Sequence, residues 1–361
     1  MRKNQPTMKL GIFTGGGTGG HVYPGLAVWQ KVSQWYPGRL LWIGSYSGME
    51  KDIISKLGLP YKGIFAGKLR RYWSFQNFTD LVKILFGFLS MVLYFRRNRA
   101  DFVFSKGGFV SVPVVWAARI FNIPVFSHES DLIPGLATKL NLGFSTKVFL
   151  PHEKVKRYLP ARHWDKCVIS GNPVREEIMT GRAERAEQRW NIPADKPLIL
   201  VLGGSSGALQ INNLIPSLVK ELAGRAVVLH QTGYKWEIPQ LPHYIGMPYL
   251  QQELADVLAR ADLLISRAGA GSLWEAASYK LPMVLVPLVA GSRGDQVVNA
   301  RHWESMGCAY VLINPTTQQL NQVVLDLLEK PQQRGKMRES YQNIPLNSSA
   351  LIAQEIQSSI F

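Results

Sequence analysis

A strand followed by a glycine-rich turn and a helix occurs twice in this chain, and this repeat constrains the fold more than any other feature. The segment LGIFTGGGTGG (10–20) has five glycines in its last six positions, and LILVLGGSSGA (198–208) repeats the layout in the second half. Such a turn directs backbone N–H groups and the positive end of a helix dipole at an anion. The sequence therefore predicts two α/β domains, each with an anion site behind a strand.

Short aliphatic runs alternate with helical patterns along the 361 residues. This alternation is typical of parallel sheets with helices on both faces, and the length suits two domains. The predicted strands are 9–14, 40–44, 102–105, 125–128, 147–150, 198–202, 226–230, 263–266 and 283–286. We expect an α/β fold of two doubly wound, Rossmann-like parallel-sheet domains that face each other across a cleft.

The domain boundaries follow from composition. We place the first domain at 1–170 and the second at 171–345, and we interpret the charged segment 179–197, which ends in proline, as a linker. Residues 346–361 include a last helical stretch, which is a candidate to pack back on the first domain.

The net charge of +16 lies entirely in the first half of the chain. Residues 1–170 hold 24 Lys and Arg against 8 Asp and Glu, whereas the remainder holds 17 of each. A basic half-protein attracts polyanions, either nucleic acid or an anionic membrane surface.

The 2 cysteines are too few for a disulfide framework, and no signal-peptide core precedes the first glycine turn. We expect a cytoplasmic protein.

The apolar segment FTDLVKILFGFLSMVLYFRRNR (78–99) favours the membrane over nucleic acid as the partner. Its uninterrupted apolar stretch of 12 residues (84–95) is shorter than the roughly 20 needed to span a bilayer. Cationic residues on both sides, with Lys68, Arg70 and Arg71 before it, are typical of an interfacial helix. A buried core helix is the alternative. The predicted membrane contacts are Leu81, Leu85, Phe88, Val92, Phe95, Arg96, Arg97 and Arg99.

Two nucleotide-binding classes are disfavoured. A dinucleotide fold needs a carboxylate at the end of its second strand, but RLLWIGS (39–45) ends without one and Glu50 comes too late. A Walker loop needs lysine after its glycines, whereas FSKGGF has its lysine before them. Because the spacing of Asp, His and Cys suggests no metal ligands, we expect neither a bound metal nor another cofactor.

Seven short motifs occur in a fixed order along the chain. They are GGGTGGHVYP (15–24), SKGGFVSVP (105–113), HESDLIPG (128–135), GNPVR (171–175), GGSSGA (203–208), SRAGAGSLWE (266–275) and GDQVVNA (294–300). As an ordered set they resemble the MurG-type transferases, which add N-acetylglucosamine to lipid-linked muramoyl-pentapeptide in peptidoglycan synthesis.

The resemblance implies a glycosyltransferase B architecture with the lipid acceptor on the N-terminal domain and the UDP-sugar on the C-terminal one. It implies an inverting transfer from UDP-N-acetylglucosamine to the muramoyl C4 hydroxyl of undecaprenyl-diphospho-muramoyl-pentapeptide, which converts lipid I to lipid II. The enzyme would work at the cytoplasmic face of the bacterial inner membrane, as a peripheral protein.

In the donor half, the resemblance implies roles for particular residues. Glu275 would bind ribose hydroxyls, although a partner of the helix dipole is the alternative. Arg175 would neutralise the diphosphate, with a surface ion pair as the alternative. Asp295 stands where many relatives have glutamine, and an aspartate cannot donate to a sugar hydroxyl. The full set of candidate donor residues is Asp131, Arg175, Ser205, Leu250, Ala270, Gly271, Ser272, Glu275, Asp295 and Gln296.

In the acceptor half, His21 with the neighbouring Thr18 is the first candidate for the catalytic machinery. A base near neutral pKa suits the deprotonation of a sugar hydroxyl, while contact with phosphate or capping of the loop are alternatives. Glu129 and Asp131, which follow a strand end, are rival bases. Asp131 stands where the family commonly has asparagine, and its carboxylate would repel a nearby diphosphate, so its role is open. The candidate diphosphate site is Gly16, Gly17, Thr18, Gly19, Gly20, His21, Gly107 and Gly108.

Three other functions remain as alternatives to this transfer. The first is a UDP-sugar transferase of the same architecture that acts on another lipid, such as a diacylglycerol. The second is a UDP-sugar epimerase, which would leave the basic apolar face unexplained. The third is a binding subunit that has lost catalysis.

Overall fold

The computed structural model describes residues 9–67, 75–204, 207–289, 294–342 and 344–361. The chain divides into two compact units. Unit 1 is Met1–Arg175 together with Asn347–Phe361, and unit 2 is Glu176–Leu346. Unit 1 thus continues past the predicted boundary at 170 and includes GNPVR.

Unit 1 is built on a parallel sheet, which has seven strands within the described residues. The strands are β1 (Leu10–Thr14), β2 (Arg39–Ser45), β3 (Tyr61–Ile64), β4 (Phe102–Ser105), β5 (Val125–His128), β6 (Lys147–Leu150) and β7 (Cys167–Ile169). The helices are α1 (Gly19–Ser33), α2 (Met49–Lys56), α3 (Phe75–Arg97), α4 (Ser111–Ile120) and α5 (Leu136–Asn141), with short 3-10 helices at Leu142–Phe144, Glu153–Tyr158 and Ala161–His163. The strand order is β3-β2-β1-β4-β5-β6-β7.

Unit 2 contains a second parallel sheet, of six strands in the part of the chain that the structure describes. The strands are β8 (Leu198–Leu202), β9 (Val227–Gln231), β10 (Tyr244–Met247), β11 (Leu263–Ser266), β12 (Met283–Leu285) and β13 (Ala309–Val311). The helices are α6 (Glu176–Met179), α7 (Ala183–Trp190), α8 (Leu209–Leu222), α9 (Leu254–Arg260), α10 (Ala270–Ser278), α11 (Asp295–Ser305), α12 (Thr317–Glu329) and α13 (Pro331–Glu339). The strand order is β10-β9-β8-β11-β12-β13.

The last helix, α14 (Ser348–Ile360), belongs to unit 1 and packs against α1. Ile352 and Ile356 are buried in the same apolar cluster as Phe13 and Trp42. A second cluster, which includes Ile12, covers the other face of the sheet. Because both faces are covered, the central strands are continuous apolar runs, as parallel strands usually are.

The segment 179–197 is not a linker, which corrects the expectation from sequence. It contains α7, whose Ala186 is fully buried against unit 2. Glu187 of α7 pairs with Arg260 at 2.6 Å, and Arg189 pairs with Glu253 at 2.7 Å. The high charge of the segment thus reflects ion pairs with α9 and with the residue that precedes it. Composition alone does not distinguish such paired charges from those of a solvated linker.

Candidate active site

The glycine turns of unit 1 lie at the point where the strand order reverses. β1 lies between β2 and β4, and ligands of doubly wound sheets bind outside the carboxyl ends of the strands at such a point. The loop after β1 touches the loop after β4 so closely that a Cβ added to Gly108 would lie 2.3 Å from the Gly16 carbonyl oxygen. Gly17 and Gly107 have φ of +87° and +91°, a conformation that favours glycine. These loops therefore require glycine.

A buried carboxylate fixes the first glycine loop. Glu50, fully buried at the start of α2, accepts hydrogen bonds from the Gly17 N–H at 3.0 Å and from the Ser45 N–H at 2.9 Å. The Ser45 hydroxyl donates to it at 2.6 Å. On the opposite side, the indole N–H of Trp42 donates to the Gly15 carbonyl at 3.2 Å. The sequence predicted no role for Glu50, and the structure shows that it holds the first glycine loop in place.

The N-terminus of α1 points its N–H groups out of this loop. The N-cap residue Thr18 is exposed, its side chain makes no capping hydrogen bond, and the first turn, which begins with Gly19 and Gly20, holds no acidic residue. A helix end of this kind attracts an anion. His21 lies in the same turn, half-buried, with its backbone N–H on the Thr18 carbonyl at 3.0 Å. A Cβ added to Gly107 would lie 3.8 Å from His21 Nδ1, so the structure brings His21 and both glycine loops together.

A buried lysine lies at the end of β4, beside these loops. Lys106 is 1% exposed. Its ammonium donates to the Ser130 hydroxyl at 2.6 Å, and that hydroxyl donates to Asn172 Oδ1 at 3.0 Å. Burial lowers the pKa of Lys106 to about 8, while the negative charges of Glu129 and Asp131 act in the opposite direction. The motifs gave no role to this lysine, although it directly precedes Gly107 and Gly108.

The neighbouring His128 is neutral. Burial and the positive charge of Lys106 hold its pKa well below the usual range for histidine. Its Nε2 lies 3.0 Å from the Gly171 carbonyl oxygen, which places the ring proton on Nε2. This histidine therefore links the ends of β5 and β7 and adds no charge.

Glu129 holds its own loop, which argues against its predicted role as a rival base. Its Oε1 accepts the N–H groups of Ser130 at 2.8 Å and Asp131 at 3.1 Å. Its Oε2 accepts the Gly135 N–H at 2.9 Å and the Thr138 hydroxyl at 2.6 Å. Both oxygens are committed to donors of the protein, so this carboxylate is poorly placed to take a substrate proton. Asp131 is half-buried at the tip of the same loop.

The corresponding point in unit 2 lies between β8 and β11. Ser205 falls outside the described residues, but Gly204 has φ of +87° and its carbonyl accepts the Gln231 side-chain amide at 2.9 Å. The Leu250 N–H donates to the same glutamine at 2.9 Å. The Leu250 side chain is 2% exposed, so it packs inside the unit and offers little surface to a donor ligand, which argues against its place in the donor set.

The N-terminus of α10 is a second helix end whose first turn suits an anion. Ala270, Gly271 and Ser272 form its first turn, which holds no acidic residue and has no side-chain cap. Glu275 is half-buried in the second turn. The helix dipole acts mainly on charges in the first turn. Because Glu275 lies outside that turn, its position argues against the alternative that it only interacts with the dipole.

Two further donor candidates are placed by α11. Asp295 is its first residue, after Gly294 with φ of +79°. The amide oxygen of Gln296 accepts the N–H groups of Ala268 at 3.3 Å and Leu288 at 2.9 Å. Gln296 therefore braces the loops after β11 and β12, a structural task that the motif alone did not indicate.

Arg175 is the last residue of unit 1, whereas the sequence placed it in the donor domain. Its guanidinium lies 4.5 Å from the centroid of the Tyr23 ring, in α1. The stacking orients the cation beside the helix whose first turn carries His21.

Helix α3 carries an apolar face that the protein leaves uncovered. Its exposed apolar side chains are Phe78, Leu81, Val82, Leu85, Phe86, Leu89 and Leu93. The predicted stripe needs correction, because Phe95 is 1% exposed and Phe88 and Val92 pack partly on the core cluster of unit 1. Leu81 and Leu85 do lie on the open face, at 56% and 54% exposed.

The end of α3 is basic, since Arg96, Arg97 and Arg99 are all exposed. The predicted basic residues Lys68, Arg70 and Arg71 lie outside the described part of the chain. Within the part of the chain that the structure describes, the helical segment Phe78–Arg97 is long and apolar enough to cross a membrane, by length and composition alone. Its buried side, with Ile84 and Met91, packs on the sheet domain instead.

Within the described ranges, no group of three or more His, Cys, Asp or Glu side chains could hold a metal ion.

Comparison with known proteins identifies the family. Residues 12–150 match the Glycosyltransferase family 28 N-terminal domain, and residues 198–356 match its C-terminal domain. A UDP-N-acetylglucosamine–N-acetylmuramyl-(pentapeptide) pyrophosphoryl-undecaprenol N-acetylglucosamine transferase of Treponema denticola is 41% identical over 329 residues, which are 85% of this chain and 84% of the relative. The chain belongs to the MurG-type transferases of glycosyltransferase family 28. A relative of the same name from Lachnospira eligens is 40% identical to this MurG-type chain over 309 residues, covering 84% of it and 86% of the relative.

Solved structures agree with this assignment. The crystal structure of Acinetobacter baumannii MurG superposes with a TM-score of 0.76 and 26% identity, covering 97% of this MurG-type chain and 99% of that one. A UDP-GlcNAc 2-epimerase from Neisseria meningitidis has a TM-score of 0.68 at 16% identity, covering 98% and 100% of the two chains, a likeness of fold alone. The predicted family and the predicted fold class of two doubly wound parallel-sheet domains are confirmed.

Proposed function

We propose that this enzyme transfers N-acetylglucosamine from UDP-N-acetylglucosamine to the muramoyl C4 hydroxyl of undecaprenyl-diphospho-muramoyl-pentapeptide. The observation that carries this proposal is the shared name of relatives about 40% identical over more than four fifths of the chain. Each of the two units has a helix N-terminus whose first turn holds no acidic residue. Such helix ends suit the diphosphate of the lipid acceptor in unit 1 and the diphosphate of the nucleotide donor in unit 2.

The acceptor diphosphate binds at the N-terminus of α1, between the loops of Gly17 and Gly107. The muramoyl hydroxyl attacks the anomeric carbon of the donor sugar while the bond from that carbon to the UDP oxygen breaks. The proton of the hydroxyl passes to His21, and UDP leaves with the bonding electrons. Attack from the side opposite to UDP inverts the anomeric centre. A histidine suits this step because its ordinary pKa is near neutral.

The donor diphosphate binds at the first turn of α10, where backbone N–H groups stabilise the charge that develops on the departing UDP. Glu275 accepts hydrogen bonds from the ribose hydroxyls, and Ser205, Asp295 and Gln296 contact the diphosphate and the sugar. These roles rest on the matching motifs and on the placement of the helix ends.

The enzyme works as a peripheral protein on the cytoplasmic face of the plasma membrane. The open apolar face of α3 enters the interfacial layer, and the arginines at its end contact anionic headgroups. The excess of basic residues in the first 170 positions adds attraction to the same surface.

An acceptor competition tests the transfer. The purified enzyme receives UDP-N-acetylglucosamine labelled in the sugar, together with equal amounts of the undecaprenyl-linked muramoyl-pentapeptide and a diacylglycerol. We expect the label only in the muramoyl lipid. Label only in the glycerolipid would refute the proposal that the muramoyl lipid is the acceptor. Formation of UDP-N-acetylmannosamine in a reaction without any acceptor would favour an epimerase.

A further inference from the structure

Gln231, the last residue of β9, connects two loops of unit 2 that follow other strands. Its side-chain amide donates to the Gly204 carbonyl at 2.9 Å, and its side-chain oxygen accepts the Leu250 N–H at 2.9 Å. Gly204 belongs to the glycine turn after β8, and Leu250 belongs to the loop after β10. The glutamine is 5% exposed, so water competes little for either hydrogen bond. The transfer mechanism above gives this residue no role.

The glycine turn after β8 lies where an anion of the donor would bind. β8 borders the point at which the strand order of unit 2 reverses. The helix that follows the turn, α8, has neither an acidic residue in its first turn nor a side-chain cap. A Cβ added to Gly204 would meet no atom within 4 Å, so the turn is open on that side. Ser205, the candidate contact of the diphosphate, is the next residue.

The Gly204 carbonyl is bonded within the protein. It accepts the Gly207 N–H at 3.1 Å, which closes the turn, and Gln231 donates to the same oxygen. A carbonyl oxygen has two lone pairs, and here both are used by donors of the protein. The negative end of this peptide group is therefore engaged inside unit 2 rather than presented to a bound anion.

Other contacts hold this part of unit 2 together without the glutamine side chain. The Thr232 N–H donates to the Met247 carbonyl at 2.9 Å, which ties the end of β9 to the end of β10. The imidazole of His230 lies 3.0 Å from the Tyr244 hydroxyl, which joins the same two strands. Replacement of Gln231 is therefore expected to release the glycine turn and to leave the sheet intact.

We propose that Gln231 is a positioning residue for the UDP-sugar donor: it ties the glycine turn after β8 to the loop after β10 and keeps the Gly204 carbonyl from repelling the diphosphate. Without this amide, the turn retains its internal hydrogen bond but loses its link to β9. It then spends less time in the arrangement that binds the donor. The inference rests on the proposed function only in that a UDP-sugar binds to unit 2.

Calorimetric titration with UDP-N-acetylglucosamine, without any acceptor, tests this role. Gln231→Met has a side chain of similar length but loses both hydrogen bonds. We expect the dissociation constant to rise about tenfold, as for a turn that is competent to bind for a tenth as much of the time. Gln318→Met changes an exposed glutamine on α12 and should bind as the wild type does. Equal affinity of Gln231→Met and the wild type would overturn the proposal.

The pH dependence of Gln231→Glu gives a second readout, which a purely structural role would not move. At pH 8 the carboxylate cannot donate to Gly204, so binding should be weak. Burial raises the pKa of such a carboxyl group, and its protonated form at pH 5 can donate to Gly204 and accept from Leu250, as the amide does. Burial also lowers the pKa of His230 to about 4 and raises that of Tyr244 to about 12, so neither neighbour changes its charge over this range.

The affinity of Gln231→Glu, relative to the wild type at the same pH, should therefore recover at pH 5. It should also exceed that of Gln231→Met, because removal of a repelling charge alone would only make the two variants equal. A glutamate variant as weak at pH 5 as at pH 8 would contradict the proposal, and this comparison remains decisive if Gln231→Met does not fold.

Steady-state kinetics separates the positioning role from a general loss of structure. Gln231→Met should raise the KM for UDP-N-acetylglucosamine and leave the KM for the muramoyl lipid unchanged, whereas an equal rise in both would contradict the proposal. The titration requires no sugar transfer. A wild-type enzyme that binds the UDP-sugar but transfers nothing to the muramoyl lipid would therefore refute the proposed function alone.

Discussion

At the scale of single residues, buried carboxylates hold the loops of the candidate acceptor site. Glu50 and Glu129 each accept several hydrogen bonds from loop donors, and each donor would otherwise be unsatisfied next to a ligand site. The first motif predicted that His21 lies with the glycines of its own loop, because those residues are close together in sequence. The motifs could not predict Glu50, whose contact with Gly17 joins positions 33 residues apart.

Glu50→Gln should loosen the first glycine loop. The amide replaces an accepting oxygen with a donor that faces another N–H, at a cost of about 1–3 kcal/mol. Urea unfolding should show the loss of stability, and kinetics should show a raised KM for the acceptor. Asp52→Asn, exposed on the same helix, is the matched control. Equal stability of the two variants would contradict the role of Glu50.

His21→Ala should lower turnover by about 10²–10⁴-fold, the range for a general base, while UDP binding stays unchanged. Steady-state kinetics gives the turnover, and calorimetric titration gives the affinity for UDP. Unchanged turnover would remove His21 as the base.

Glu275→Ala should weaken UDP binding by about 1–3 kcal/mol, because two ribose hydroxyls would lose a charged acceptor. Calorimetric titration with UDP measures the effect. An unaltered affinity would refute the ribose role, since the variant leaves the first turn of α10 intact.

At the scale of elements, burial decides which strands and faces can be found from sequence. Central strands such as β8 are buried throughout and form continuous apolar runs. The strands β3, β7, β10 and β13, which were not predicted, are the edges of the two sheets. Their residues are mostly half-buried, for example all three of β7, so the apolar signal is weak.

The same principle applies to α3, where apolar side chains lie all around the helix. Periodicity could not tell the face that packs on the sheet from the face left open. Only tertiary packing separates Phe95, in the core, from Leu85 and Leu89, which are 54% and 46% exposed.

Leu85→Ser combined with Leu89→Ser should reduce binding to anionic phospholipid vesicles without lowering the melting temperature. The two residues contribute apolar area to the membrane but little to the core. Phe95→Ala is the opposite control, expected to destabilise the fold by about 3–5 kcal/mol. Vesicle sedimentation and thermal unfolding measure the two effects. Vesicle binding equal to the wild type would contradict the proposed membrane face.

At the scale of the whole molecule, the two halves differ in charge and share a layout. The first 170 residues carry the entire net charge of +16, and each unit has a glycine turn where its strand order reverses, the point at which doubly wound sheets bind ligands. The ordered motifs were enough to predict the family and the two doubly wound sheets, because a glycine turn follows the first strand of each sheet, β1 and β8. The position of α7 could not be predicted, because its charges are explained only by their partners on α9.

The product of a single transfer reaction tests the central claim most directly. Purified enzyme is incubated with UDP-N-acetylglucosamine and the undecaprenyl-linked muramoyl-pentapeptide, and the glycosidic linkage of the product is determined by NMR. We predict a β-1,4 bond between N-acetylglucosamine and the muramoyl sugar, formed with inversion. An α linkage, or a muramoyl lipid left unmodified while another acceptor is glycosylated, would contradict the account.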